Sequence, residues 1–384
     1  MKHIKNRLLI IMTVFIIVTM ADIACSKKDN PPPPPVITTP TITSFAPTSA
    51  NPGTTVTITG TNFTGATSVS FGGIAAASFT VVSATSITAV VGTGATGDVK
   101  VVTAGGPATK SGFTLTAPQI DGYDNSNQVG KDSLKAHWTF DVSNVEDISG
   151  KAPEKAVGAS LETGVLGQAL KLTSGYLVYP VIPALSTPDT LQSYTLSLWV
   201  NSPATSSAMS SFFQMTGEVF PDIWGQIEIA ANTHWGHGGD TLVLNSRFTQ
   251  IDGTSPYVHA FNWDLDPLAN AAWTFHGANT WSLLTVSYNQ FNDSLTVYGN
   301  GVEIAAKKTG VVVSPATFIL QQPIRALIGT FAFSEDGFVN APSATGPTWA
   351  GHGISASIDD IRMFNAALSA SQIKALYDLG KAGR

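Results

Sequence analysis

Residues 354–380 read ISASIDDIRMFNAALSASQIKALYDLG. The first part, ISASIDDIRMF, reads as a strand. The second, LSASQIKALYDLG, reads as a helix with clear punctuation. Ser369 can cap its start, Gln372 stands at the capping-box position and Gly380 stands where a stop is expected. Ile373, Leu376 and Leu379 recur at helical spacing and form an apolar stripe that needs a surface to dock on. The stripe docks on a sheet, which needs further strands.

They are abundant. YTLSLWV (194–200) alternates Tyr194, Leu196, Leu198 and Val200 on one face. WSLLTVSYNQFNDSLTVYGNGVEI (281–304) reads as three strands, broken by NQFND and by GNG at 299–301, a tight-turn signal. Charged residues are only 12% of the chain and hydrophobic residues 43%. This composition supports real cores, and with a net charge of -6 it argues against a nucleic-acid partner. Together with AHWTFDVSNVEDISGK (136–151) and LGQALKL (166–172), these stretches fall in the order of a known family. Residues 134–384 resemble a concanavalin A-like, laminin-G-type jelly roll. The resemblance implies two curved antiparallel sheets. Members bind glycans or proteins, some hold calcium, and a minority of relatives are glycosidases. It also implies that the first and last strands are neighbours, so that Asp141 and Asp359 or Asp360 would meet and could hold a calcium ion. The alternative is that one of these aspartates pairs with Arg362 or caps a turn.

Upstream, residues 41–116 alternate with period two. TTVTITGTNF puts Val56 and Ile58 on one face and Thr55, Thr57 and Thr59 on the other. Short strands follow at SVSFGG, SFTVVS, SITAVV, DVKVVT and GFTLT, the pattern of a small sandwich. NPGTTVTITGTNF, Pro47 and VSFGG resemble the IPT/TIG domain, an immunoglobulin-like sandwich that usually serves as a spacer or interaction module. The segment carries only Lys100 and Lys110 as basic residues and no Trp, Tyr or His, so it is read as a stalk. The expected fold class is therefore all-β, with two sandwiches and one short C-terminal helix. Residues 117–133, polar and aperiodic, read as the linker.

The amino terminus reads as targeting. MKHIKNR is a basic segment, LLIIMTVFIIVTM an apolar one, and ADIAC ends in Cys25, the only cysteine. An unpaired cysteine in an exported chain needs an explanation. The stretch resembles a bacterial lipoprotein signal over residues 1–24, with Cys25 lipidated. Asp22 departs from the leucine that the motif prefers. Residues 25–40 contain five consecutive prolines and read as a stiff tether. The expected location is the bacterial outer membrane, lipid-anchored and surface-exposed.

Catalytic signatures are missing. A retaining glycosidase needs two carboxylates about 5 Å apart. No Glu-x-Asp occurs, nor a Gly-x-Ser-x-Gly elbow, nor a His-Glu-x-x-His helix. The pairs Glu146–Asp147, Glu335–Asp336 and Asp359–Asp360 are sequence neighbours, which a strand points to opposite faces. The chain is read as a binding protein, not an enzyme.

The binding residues are sought in the long stretch 201–280. It holds Trp224, His234, Trp235, His237, Tyr257, His259, Trp263, Trp273 and His276, beside polar partners that include Asp240, Asn245 and Arg247. Aromatic faces stack on sugar C–H faces while hydroxyls need hydrogen-bonding side chains. Within it, THWGHGGD (233–240) has two histidines three apart, a weak zinc signal, since its glycines rule out a regular helix to aim them. The expected ligand set is Trp224, His234, Trp235, His237, Asp240, Arg247, Tyr257 and Trp263. The expected function is capture of polysaccharide at the cell surface, with partner proteins of a glycan-uptake system. The alternatives are adhesion through a protein ligand, or, less favoured, a glycoside hydrolase.

Overall fold

A computed structural model describes residues 37–186, 191–217, 223–235, 239–249, 260–264, 275–308, 323–339 and 341–384. Cys25, His237 and Tyr257 lie outside the described residues. The chain divides into two units, Met1–Thr116 and Ala117–Arg384.

The first unit holds β1 (Thr41–Ala46), β2 (Ser49–Ala50), β3 (Thr55–Thr61), β4 (Ser68–Phe71), β5 (Ile74–Ala75), β6 (Ser78–Ser83), β7 (Ser86–Val90), β8 (Gly97–Thr103) and β9 (Gly106–Leu115). They form two sheets, ordered β1-β3-β7-β6 and β2-β9-β8-β4-β5. Alternation decides the packing. Val56 and Ile58 are buried while Thr55, Thr57 and Thr59 between them are exposed. The inward rows of both sheets share one core with Phe45, Phe71, Val99, Val101 and Phe113.

The second unit continues with β10 (Leu134–Trp138), β11 (Lys155–Thr163), β12 (Gln168–Val181), β13 (Tyr194–Asn201), β14 (Ser210–Gly217), β15 (Ile227–Ala231), β16 (Leu244–Thr249), β17 (Ala260–Asp264), β18 (Ser282–Asn289), β19 (Ser294–Gly299), β20 (Val302–Lys308), β21 (Ile324–Ile328), β22 (Ile354–Phe364) and the helix α1 (Ala370–Lys381). The ladder runs β17-β16-β15-β14-β21-β12-β22-β13-β18-β19-β20. β12 is the crossover. Its first half pairs with β22 and its second half with β21. The two halves of the ladder face each other across a single apolar core. Trp138 of β10 meets Phe213 of β14 edge-on, with ring centroids 5.3 Å apart. The molecule is thus all-β, two sandwiches with one short helix at the end, as the sequence led us to expect. GNG at 299–301 makes the β19–β20 turn, with both Asn300 and Gly301 at positive φ, as that hairpin requires.

α1 has the expected capping box, Ser369 with Gln372, and buries Ile373, Leu376 and Leu379. One expectation needs correction. Gly380 does not stop the helix, which runs on to Lys381. The glycine is needed for contact, because a Cβ there would lie 2.5 Å from the ring of Trp199.

The stretch 117–133 is also not a free linker. It belongs to the second unit, and the reason is Arg362. This buried guanidinium on β22 donates to both carboxylate oxygens of Asp360 and to Ser126 O, Ser126 Oγ and Asn127 Oδ1. A buried cation must have its donors satisfied, and the polar residues that made this stretch look like a loop satisfy them. Val129 joins the core under α1, and Ser126 N–H donates to the backbone oxygen of Arg384.

Candidate functional site

The outer face of the β14–β15–β16 sheet carries polar side chains where an ordinary outer face would meet water. Pairing puts Gln214 opposite Glu228, and Glu228 opposite Arg247. All three are buried. Gln214 Nε2 donates to Ile223 O at 2.9 Å and to Glu228 Oε1 at 3.4 Å. The segment 223–225 lies close on this face because residue 225 is glycine. It has φ +65°, and a Cβ would come within 2.7 Å of Gln214.

That approach places Trp224. Its ring covers the Arg247 guanidinium, with Cζ 3.4 Å from the ring centroid. Trp349 stacks on Trp224, with centroids 4.8 Å apart and planes 21° from parallel. Phe331 buttresses both rings edge-on, at 5.4 Å and 6.3 Å. The column therefore runs sheet, Arg247, Trp224, Trp349. Its last ring is 37% exposed. Cation–π contact strengthens when desolvated, to roughly 2 kcal/mol, and a stacked aromatic pair adds about 0.5–1.5. The two inner members are thus a rigid base for the outer one.

The loop that bears Trp349 is tied down at several points. Met209 N–H donates to Trp349 O at 2.7 Å. The Asp336 carboxylate accepts from Lys155 Nζ at 2.6 Å and Tyr176 OH at 3.3 Å, and pairs with His352 Nε2 at 2.8 Å. Burial pushes Asp336 up, but His352 and Lys155 outweigh it and hold the carboxyl below its ordinary value. Glu335 accepts from Ser343 Oγ and Ala344 N–H, which lowers its pKa to about 2. His352 is packed between Tyr176 and Phe333.

Of the expected ligand set, Trp224 and Arg247 come together. Asp240 does not join them. It pairs with His276 Nδ1 at 2.7 Å on the surface, beside the Thr241–His276 bridge. His234 and the backbone of Trp235 form one 3-10 turn, Thr233–Trp235. Trp263 stands on β17 opposite Ser246. Trp349, Phe331, Gln214 and Glu228 were missed. The only sequence signal for Trp349 is a tryptophan in the Gly- and Pro-rich run GPTWAGHG (346–353), far outside the 201–280 stretch.

The three aspartates considered for calcium each have protein partners. Asp360 faces Arg362 and His137, whose Nε2 is 2.7 Å away. Asp141 Oδ1 accepts from Gln168 N–H. Asp359 Oδ2 accepts from Val165 and Leu166 N–H. Two carboxylates thus grip the β11–β12 turn from outside. Glycine is required where they enter, since a Cβ on Gly167 would lie 1.8 Å from Asp141 Oδ1 and one on Gly164 2.4 Å from Asp359 Oδ2. Asp360 thus serves Arg362 and His137, while Asp141 and Asp359 each use one carboxylate oxygen on backbone N–H groups of the β11–β12 turn. Among the described residues no group of three or more His, Cys, Asp or Glu is placed to hold a metal.

Asp359 has a pH consequence. Its Oδ1 is buried and accepts no hydrogen bond. Burial raises its pKa from 3.8 to about 7, with Asp360 adding to the rise, against the two N–H bonds. A carboxyl raised on folding contributes stability that is present below its unfolded pKa and lost as pH rises through the folded one. The second unit is expected to lose stability between about pH 4 and 7 with a slope of up to roughly 1.4 kcal/mol per pH unit from this group. Asp359→Asn is expected to flatten that slope. Melting curves at several pH values, wild type against variant, read it, and parallel curves would refute it.

Residues 40–117 match the IPT/TIG domain. No curated protein matches the chain. Among solved structures, domain 4 of AbnA, a GH43 extracellular arabinanase from Geobacillus stearothermophilus in complex with arabinotriose, is 18% identical with a TM-score of 0.40, covering 64% of this chain and 98% of that one. The binding domain of Paraclostridial Mosquitocidal Protein 1 is 13% identical with a TM-score of 0.43, over 65% of this chain and 52% of that one. The botulinum neurotoxin serotype D ligand binding domain in complex with N-acetylneuraminic acid is 13% identical with a TM-score of 0.41, over 66% and 52%. The chain thus spans about half the length of these two toxin domains. Likenesses at this level assign no activity.

Proposed function

We propose that the second unit is a non-catalytic glycan-binding module, carried on an IPT/TIG stalk and anchored at the outer membrane through lipidated Cys25. The observation that carries this reading is the Arg247–Trp224–Trp349 column. It carries a partly exposed indole on a rigid base, so little ordering remains to be done when a sugar ring stacks on it. Polysaccharide retention by residues 117–384 tests the reading. Retention of a polysaccharide supports it; capture of a protein ligand with no glycan retained favours adhesion instead. Release of reducing ends from the retained polysaccharide would make the module a hydrolase.

The anchor has its own test. Cys25→Ser is expected to abolish incorporation of labelled palmitate in cells and to move the protein from the membrane to the soluble fraction. Unchanged labelling would end the lipoprotein reading without touching the glycan one.

A further inference from the structure

One end of the second sandwich carries a cavity of about 390 Å³, within the roughly 300–1,000 Å³ of small-molecule sites. It shares no lining residue with the tryptophan column. Gln192 and Ser193 lead into β13, Asn289, Gln290 and Phe291 form the β18–β19 turn, and Asn365 follows β22. No charged residue among the described residues lines it.

The walls are fixed by the backbone around them. Gln290 N–H donates to Ser193 Oγ at 3.1 Å, and Phe291 N–H to Asn289 Oδ1 at 3.0 Å. Opposite, Thr195 Oγ1 donates to Ala366 O at 2.8 Å, and Asn365 N–H to Ser133 O at 2.8 Å. Two features of this cavity point to a ligand. The Phe291 ring is 84% exposed at the rim. A single exposed ring is ordinary by itself. Gln290 Oε1, however, is a buried acceptor without a hydrogen-bond partner. Such an oxygen is costly to leave unmet. The terminal amide torsion is soft, so a ligand donor can draw the oxygen into the cavity by a small rotation.

We propose that this cavity is a second sugar site, which takes one neutral residue of a glycan. The carboxamides of Gln192, Asn289, Gln290 and Asn365 offer donors and acceptors without net charge, as the hydroxyls of a neutral sugar require. Phe291 offers the stacking face. Among the described residues that line it, an anionic sugar has no cation to meet. The site stands independently of Trp349.

The test is affinity electrophoresis of the full chain in gels cast with neutral polysaccharides, namely arabinan, xylan, mixed-linkage β-glucan and galactomannan. The variants are Phe291→Ala, Asn365→Ala, Trp349→Ala and the double variant Phe291→Ala with Trp349→Ala. Trp349→Ala is expected to keep residual retardation, and adding Phe291→Ala to weaken that residue by about tenfold or more. Asn365→Ala should weaken it in the same gels. Phe291→Ala should melt as the wild type does, because its ring is exposed. The proposal is overturned if Phe291→Ala and Asn365→Ala leave retardation unchanged in both backgrounds, if Trp349→Ala alone removes all of it, or if the wild type is retained by none of the four polymers. Loss with Phe291→Ala but none with Trp349→Ala would uphold the cavity and sink the tryptophan column as a binding platform.

Discussion

Arg362→Met is expected to destabilise the second unit by about 3–5 kcal/mol, the range for removing one partner of a buried ion pair. The guanidinium is buried and makes five hydrogen bonds. Methionine fills much of the volume but leaves the Asp360 carboxylate buried, with His137 its remaining side-chain hydrogen-bond partner among the described residues. It also strips the anchor from Ser126 and Asn127. Urea unfolding of the full chain, followed by tryptophan fluorescence, reads the loss. The double variant Asp360→Asn with Arg362→Met separates the two causes. Recovery of stability in the double variant assigns the loss to the stranded charge. No recovery assigns it to release of residues 117–133. The pH dependence provides a second check. Burial pushes Asp360 up, and in the wild type Arg362 and His137 outweigh that and keep its carboxyl below the ordinary range. Without Arg362 that carboxyl rises, so the penalty of the single variant should shrink as the solution is acidified. A loss below about 1 kcal/mol at neutral pH is too small for a stranded buried charge and would refute this account.

The same arginine illustrates which parts of the fold were legible from sequence. Period-two alternation in TTVTITG and YTLSLWV, the GNG turn and the capping box are local signals, and each appears where the spacing puts it. The role of residues 117–133 is not local. Their polar character is matched to a guanidinium 236 positions away from Ser126, and nothing in the segment itself distinguishes a satisfied buried polar group from a solvated one. Gly380 misleads for a related reason. Its glycine reads as a stop, whereas it answers to the Trp199 ring packed beneath the helix. The candidate site was half legible. Trp224 and Arg247 stand out by residue type, but the row Gln214–Glu228–Arg247 exists only through strand register. Trp349 reaches the column from a loop after β21, so a search confined to one aromatic-rich stretch passes it by.

Trp349→Ala is expected to weaken retention of the bound polysaccharide by about 10- to 100-fold, roughly 1.4–2.8 kcal/mol, as removal of a central aromatic anchor does. The fold should survive it. The ring is 37% exposed, and the deletion gives up one stacked pair, worth about 0.5–1.5 kcal/mol. Trp224 would stay over Arg247 and against Phe331, and the loop keeps the Asp336 contacts with Lys155 and His352. Trp349→Phe keeps an aromatic face and should retain most of the affinity, which a purely steric role for the indole would not predict. Asp336→Asn addresses the loop separately. It leaves both tryptophans in place but weakens the pairing with Lys155 and His352, so it should lower affinity with a smaller change than Trp349→Ala. Binding isotherms on wild type and the three variants, each with its melting curve, decide the matter. If Trp349→Ala binds as the wild type does while melting normally, the exposed ring is not a binding face. Any retention would then have to come from elsewhere on the unit, with Phe291 the next position to substitute.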